Sequence, residues 1–214
     1  MRFLGLTPEA VAARSAGVRL RRIQTTAGGS TAYGAIQFGI ASLVVFGTWA
    51  VSGSRLYAAI GEMGAFLAWA ATFMLLAGVL LAPLVVGNGN RSRFLACFAL
   101  AFAGYALVWI ASWFAMPNRS GEITGAMGGT ALFALILCHA FGTPRLWTDT
   151  ALYLFIGNAA GYFLGDFAHS HLRGEVGKLA WGLLYGLGFG AGIGASLFAV
   201  QAEIRSRLQV GDVR

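Results

Sequence analysis

Leu179–Val200 reads LAWGLLYGLGFGAGIGASLFAV, twenty-two residues without one charged side chain. A helix of about 20 apolar residues crosses the hydrocarbon layer of a bilayer. Gly182, Gly186, Gly190 and Gly194 fall four apart along it, and Gly188 and Gly192 lie on the adjoining stripe. Lipid tails are as apolar as leucine, so helices in a membrane gain little from hydrophobic contact and associate by close backbone packing instead. This stretch therefore predicts a membrane helix shaped to be approached closely.

Five more apolar runs precede it: Tyr33–Val51, Met63–Val86, Phe94–Met116, Ile123–Phe141 and Leu146–Ala168. Each has the length of a helical span, whereas barrel strands would be half as long and alternate in polarity. The predicted fold is an all-α integral membrane protein, a bundle of six transmembrane helices. Residues 31–201 make up the six-span domain, between a basic N-terminal segment, 1–30, and a basic tail, 202–214. Charged residues make up 11% of the chain and hydrophobic ones 57%, against about 25% charged in a soluble domain. So little charge cannot coat a water-soluble globule, and the lipid bilayer is the expected partner.

The formal charge of +7 lies mainly in the ends and connections. Eleven basic residues, among them Arg14, Arg91, Arg93, Arg145, Arg205 and Arg207, fall on one side of this topology; Arg55, Arg119, Arg173 and Lys178 fall on the other. The positive-inside rule then places both termini on the cytoplasmic side of a plasma or inner membrane, or on the equivalent side of an organelle's inner membrane. No basic, aromatic groove for nucleic acid is present. Residues 8–22, PEAVAARSAGVRLRR, predict a short amphipathic helix on an anionic membrane face. The arginine-rich, acid-poor start also fits an organelle transit peptide. Trp49, Trp69, Trp109, Trp113, Trp147 and Trp181 lie largely near span ends, as an interfacial belt does.

The three connections opposite the termini share a pattern: RLYAAIGEMG, RSGEITG and RGEVGK each run from a basic residue into Gly-Glu. Glu62, Glu122 and Glu175 thus recur at the starts of returning helices. Two explanations compete, a triplicated helical hairpin and the ordinary preference of glutamate for the positive end of a helix dipole. A ring of these carboxylates would attract cations to that mouth. The layout of three hairpins in about two hundred residues is similar to that of the amide–urea channel family; its motifs are not matched, so no residue roles carry over.

Chemistry concentrates in 157–178, GNAAGYFLGDFAHSHLRGEVGK. Gly157, Gly161 and Gly165 form a second packing stripe, and Gly121, Gly125 and Gly129 a third, so spans four to six are expected to pack tightly or to offer a face for a homo-oligomer. Asn158, Tyr162 and Asp166 share a stripe at a spacing of four. A carboxylate within a span is costly unless wetted or paired, which makes Asp166 a candidate site. His169 follows at i+3 and is expected to reach it, and an Asp–His pair can shuttle protons. His171 and Glu175 add ligating groups, but not at an established metal spacing, so no metal and no cofactor are expected. Residues 161–166, GYFLGD, resemble a stretch of TLC-domain lipid proteins; the paired histidines that should follow are absent. Cys97, Cys138 and His139 are expected to be packed core residues. No P-loop, nucleophile elbow or dinucleotide fingerprint occurs.

The expected function is a channel or transporter for a small neutral or weakly acidic solute, gated at a cluster of Asp166, His169, His171, Glu62, Glu122 and Glu175. The alternatives are a non-catalytic subunit or scaffold of a membrane complex, and a membrane-embedded enzyme acting on lipid.

Overall fold

A computed structural model describes residues 4–16 and 26–211. Among them helix is the only regular structure, with no strand: α1 (Pro8–Ser15), α2 (Ala27–Leu81), α3 (Arg91–Ala115), α4 (Arg119–Ala140), α5 (Trp147–Leu172), α6 (Gly174–Val200) and α7 (Ala202–Gly211). Arg21 and Arg22 of the predicted amphipathic helix lie outside the described residues.

Four helical segments are long and apolar enough to cross a membrane: Ala27–Leu84, Arg91–Ala115, Arg119–Ala140 and Gly174–Val200. Where the sequence predicts six spans, two findings reduce the count. The first two apolar runs belong to one helical segment, broken at Gly61, whose φ of 72° and ψ of 172° are not helical. The other exception is α5, which has the length but carries Asp149, Asn158, Asp166, His169 and His171.

At Gly61 the α2 segment doubles back. The Tyr33 hydroxyl donates to the Leu80 carbonyl at 3.3 Å, Trp69 Nε1 donates to Thr48 Oγ1 at 3.1 Å, and Phe38 stacks on Phe73 at 5.5 Å. Only a residue without Cβ enters this positive-φ turn at little cost. The turn between α5 and α6 uses the same region twice, at Arg173 (φ 52°) and Gly174 (φ 55°). Between α3 and α4 the turn falls earlier, and Asn118 caps α4 by accepting from the Ser120 and Gly121 amides at 2.8 and 3.3 Å. The three Gly-Glu pairs therefore share a sequence but not one geometry. Gly61 and Gly174 make turns, whereas Gly121 lies inside α4, where a Cβ would stand 2.9 Å from the Ser112 carbonyl oxygen. These turns define one end of the bundle, the hairpin end; α1 and α7 lie at the other, the terminal end.

Helix α6 is the central strut. Its Gly186 leaves room for α2, since a Cβ there would stand 2.6 Å from Ser42 Cβ and 2.7 Å from Gly39 Cα. Gly182, Gly190 and Gly194 face Phe46, Phe38 and Ser30 of the same arm. Its other glycine stripe, Gly188 and Gly192, meets α5 at Gly161 and Leu154. One hydrogen bond seals the first contact, Ser42 Oγ donating to the Gly182 carbonyl at 2.6 Å. Gly125 and Gly129 of α4 pack on Trp109 and Tyr105 of α3. The expectation that spans four to six pack tightly thus holds for α5 on α6 and not for α4, whose glycines face α3; the partner of α6 opposite α5 is α2, because α6 has glycines on two faces. Both stripes are occupied within one chain, which leaves no glycine stripe of α5 or α6 for a second copy.

The outward surface is apolar, as lipid contact requires: Leu75, Leu107 and Phe167 are 72%, 67% and 62% exposed. At the terminal end α1 docks under the bundle. Val11 of this helix and Leu6 just before it are fully buried, so the helix is a packed part of the protein and not one lying free on a membrane face. Glu9 pairs with Arg207 of α7 at 2.9 Å. Gln201, 1% exposed, accepts from the Val86 amide at 2.8 Å and donates to the Leu84 and Leu197 carbonyls at 3.1 and 2.8 Å.

Candidate functional site

Helix α5, the long helix that is not among the four apolar spans, carries the candidate site. Along α5 the glycine face lets α6 approach: a Cβ on Gly161 would stand 2.7 Å from the Leu184 carbonyl oxygen, and one on Gly165 3.0 Å from that of Trp181. The neighbouring face, one residue on at each turn, presents Asn158, Tyr162 and Asp166. Three levels of polar groups result, running inward from the hairpin end.

At the outermost level Arg119 joins two helices. Its Nη1 donates to Glu122 Oε2 at 2.7 Å and its Nη2 to Asp166 Oδ2 at 3.1 Å, while the guanidinium lies 4.9 Å from the centre of the Phe163 ring. Side-chain exposure of 56% for Arg119 and 36% for Asp166 keeps this bridge in contact with its surroundings. It adds little to stability, since exposed pairs are screened and ordering them costs entropy. It acts as a weak latch between the start of α4 and the end of α5.

Tyr162 forms the second level, half-buried between Trp181 at 5.5 Å and Trp109 at 6.0 Å. The third level is fully enclosed. Asn158 Nδ2 donates to the Tyr105 hydroxyl at 2.7 Å, and the Tyr105 and Tyr185 hydroxyls lie 3.3 Å apart. Asn158 is 1% exposed, Tyr105 5% and Tyr185 8%. Buried polar groups persist when they satisfy one another, and this triad does so across α3, α5 and α6.

Toward the terminal end the file stops at rings. Phe189 lies 5.0 Å from Tyr105 and also meets Phe38 and Phe133; Phe73 and Phe102 pack on Phe38, and Phe98 on Phe133. This phenylalanine layer fills the middle of the bundle.

The predicted Asp/His/Glu cluster is divided by the structure. Asp166 pairs with Arg119 and not with His169, because a full positive charge on α4 reaches the carboxylate. The His169 ring turns into an aromatic slot, stacked on Trp181 at 5.4 Å with Trp49 at 6.1 Å. Its Nδ1 and the nearby Trp181 Nε1 are both buried without a hydrogen-bond partner. His171 is exposed, its Nδ1 2.8 Å from the Phe167 carbonyl of its own helix. Glu62 and Glu175 are exposed and have no ion pair among the described residues. With Glu122 tied to Arg119, the three glutamates stand in unlike surroundings. His139 is exposed, not packed among helices; its Nδ1 lies 2.9 Å from the Leu135 carbonyl. Cys97 and Cys138 are buried and free. Among the described residues no three His, Cys, Asp or Glu side chains converge in a way that could hold a metal ion.

Sequence reasoning missed Tyr105, Tyr185 and the bridging role of Arg119. Tyrosines favour membrane interfaces, so two of them well inside apolar runs were the available signal. Phe94, Phe98 and Phe102, spaced by four ahead of Tyr105, were the signal for the ring layer. Comparison with known proteins finds no matching family model, and no curated protein or solved structure matches the chain.

Proposed function

We propose that the chain is a six-span membrane protein that passes a small neutral or weakly acidic solute, taken up from the hairpin end. The supporting observation is the file of polar groups from Asp166 through Tyr162 to the buried Asn158–Tyr105–Tyr185 triad. In this scheme α2 crosses twice, its arms joined at Gly61, and α5 crosses as a polar helix shielded by α4 and α6. The basic terminal end faces the cytoplasm or its equivalent by the positive-inside rule. The triad carries donors and acceptors but no formal charge, so it suits hydrogen bonding to a neutral molecule and offers little to an ion. The Arg119–Asp166 bridge is the outer gate and the phenylalanine layer the inner one.

Stopped-flow swelling of proteoliposomes with urea, glycerol and acetic acid tests this. Wild-type protein is expected to raise permeability to at least one of them over protein-free liposomes. Tyr105→Phe removes the acceptor for Asn158 and is expected to lower that flux about tenfold, the scale of one buried hydrogen bond. Tyr153→Phe, at an exposed position of α5, should leave it unchanged. Permeability equal to that of empty liposomes for all three solutes would sink the proposal.

A second function, as a non-catalytic subunit of a membrane complex, draws on a different observation, the phenylalanine-filled middle. It predicts no flux and a fixed partner retained through purification. The lipid-enzyme alternative relied on an Asp166–His169 pair that the structure separates.

A further inference from the structure

At the terminal end two arginines from distant parts of the chain are pressed together. Arg14 of α1 donates through Nη2 to the Gly5 carbonyl and, at 2.6 Å, to Asn90 Oδ1. Arg93, in the first turn of α3, donates through Nη1 to the Leu4 carbonyl at 3.2 Å. Gly5, at φ 60°, sits between them: a Cβ there would stand 2.9 Å from Arg93 Nη1 and 3.1 Å from Arg14 Nη1. The two guanidiniums are therefore no more than about 6 Å apart, close enough for strong like-charge repulsion.

Nothing among the described residues neutralises them. The ion pairs at this end join Arg207 to Glu9 and Glu203, not to Arg14 or Arg93. Arg14 Nε is buried without a hydrogen-bond partner. Helix α3 has no acidic residue in its first turn, so Arg93 also meets the positive end of a helix dipole. Burial first, and then the Arg93 charge, pull the Arg14 guanidinium below its ordinary value. Each guanidinium carries five N–H donors, and the main-chain carbonyls use only a few of them.

We propose that Arg14 and Arg93 form a phosphate-binding site, the phosphate coming either from an anionic lipid headgroup or from free phosphate. A tetrahedral phosphate presents oxygens to both planar forks at once and supplies the missing negative charge. The site lies at the basic end of the bundle, the level at which juxtamembrane arginines meet anionic headgroups. It is separate from the polar file of the hairpin end and does not depend on solute passage.

Full-length protein in a neutral detergent tests it, read as the shift of the thermal unfolding midpoint. Inorganic phosphate, titrated against chloride at equal ionic strength, and mixed micelles of phosphatidylglycerol against phosphatidylcholine are the two probes. A saturable rise with both assigns the site to phosphate in general, and a rise with phosphatidylglycerol alone assigns it to the lipid; either supports the proposal. Arg93→Gln is expected to weaken binding about tenfold or more, the scale of losing a charge-assisted hydrogen bond. Arg91→Gln, an exposed neighbour, should change it less than about twofold. If Arg93→Gln does not fold, Arg14→Lys, which keeps the charge and loses the fork, is expected to weaken binding severalfold. The proposal is overturned if neither probe gives a saturable shift in the wild type, or if the folded variant binds within about twofold of it.

Discussion

Gly186→Leu is expected to unfold the protein at far lower denaturant than the wild type. The site admits no side chain: a Cβ would stand 2.6 Å from Ser42 Cβ, 2.7 Å from Gly39 Cα and 3.1 Å from the Phe38 carbonyl oxygen. Two of these neighbours are backbone and cannot rotate away, so α2 and α6 must move apart. The Ser42–Gly182 hydrogen bond, 2.6 Å long and buried, breaks with that separation. Overpacking by one methyl costs about 1–3 kcal/mol; a leucine that also strands a buried hydroxyl should cost roughly 4 kcal/mol or more. Gly28→Ala is the control, because a Cβ there meets nothing within 4 Å, and alanine should be neutral or stabilise by up to about 1 kcal/mol. Unfolding in mixed dodecyl sulfate micelles measures both. Equal midpoints for the two variants would show that α6 is not wedged against α2.

Gln201→Leu is expected to cost nearly as much for an electrostatic reason. Its side chain answers three main-chain groups at the junction of α6 and α7: the Val86 amide and the carbonyls of Leu84 and Leu197. Leucine of similar size fills the space and leaves the Val86 N–H and the Leu84 oxygen without partners. Each stranded buried group costs about 1–3 kcal/mol, so a loss of roughly 2–4 kcal/mol follows, with faster hydrogen exchange at the Val86 amide. Gln201→Glu keeps an acceptor for Val86 but points a carboxylate at two carbonyl oxygens. It too should destabilise, and more so above the carboxyl pKa than below it. Wild-type exchange protection at Val86 in either variant would show that the loop holds without this side chain.

The helices were legible in the sequence because apolar length and glycine spacing are local properties. The runs Phe94–Met116 and Ile123–Phe141 map onto α3 and α4 within a few residues. The connection between Val51 and Met63 was not read as helix. Main-chain hydrogen bonds do not depend on hydropathy, and the helix continues past the apolar run until Gly61 breaks it. Pairing between helices was less legible. A glycine stripe states that something comes close but not what, so the match of α6 with α2 could not be read from Gly186 alone. At the candidate site, Asn158, Tyr162 and Asp166 were visible as an i, i+4 stripe. Which charge Asp166 would choose was not, because Arg119 lies 47 residues away and His169 only three.

The pairing of α2 with α6 also sets an order of assembly. Synthesis from the N-terminus delivers the Ser42 face early, and its partner, Gly182, follows 140 residues later. Until then the glycines and the serine of the first helix would lack the close neighbour their grooves fit. The last long helix to emerge slides between the first and its own predecessor and draws them together, so a chain truncated before it would keep its helices and lose its bundle.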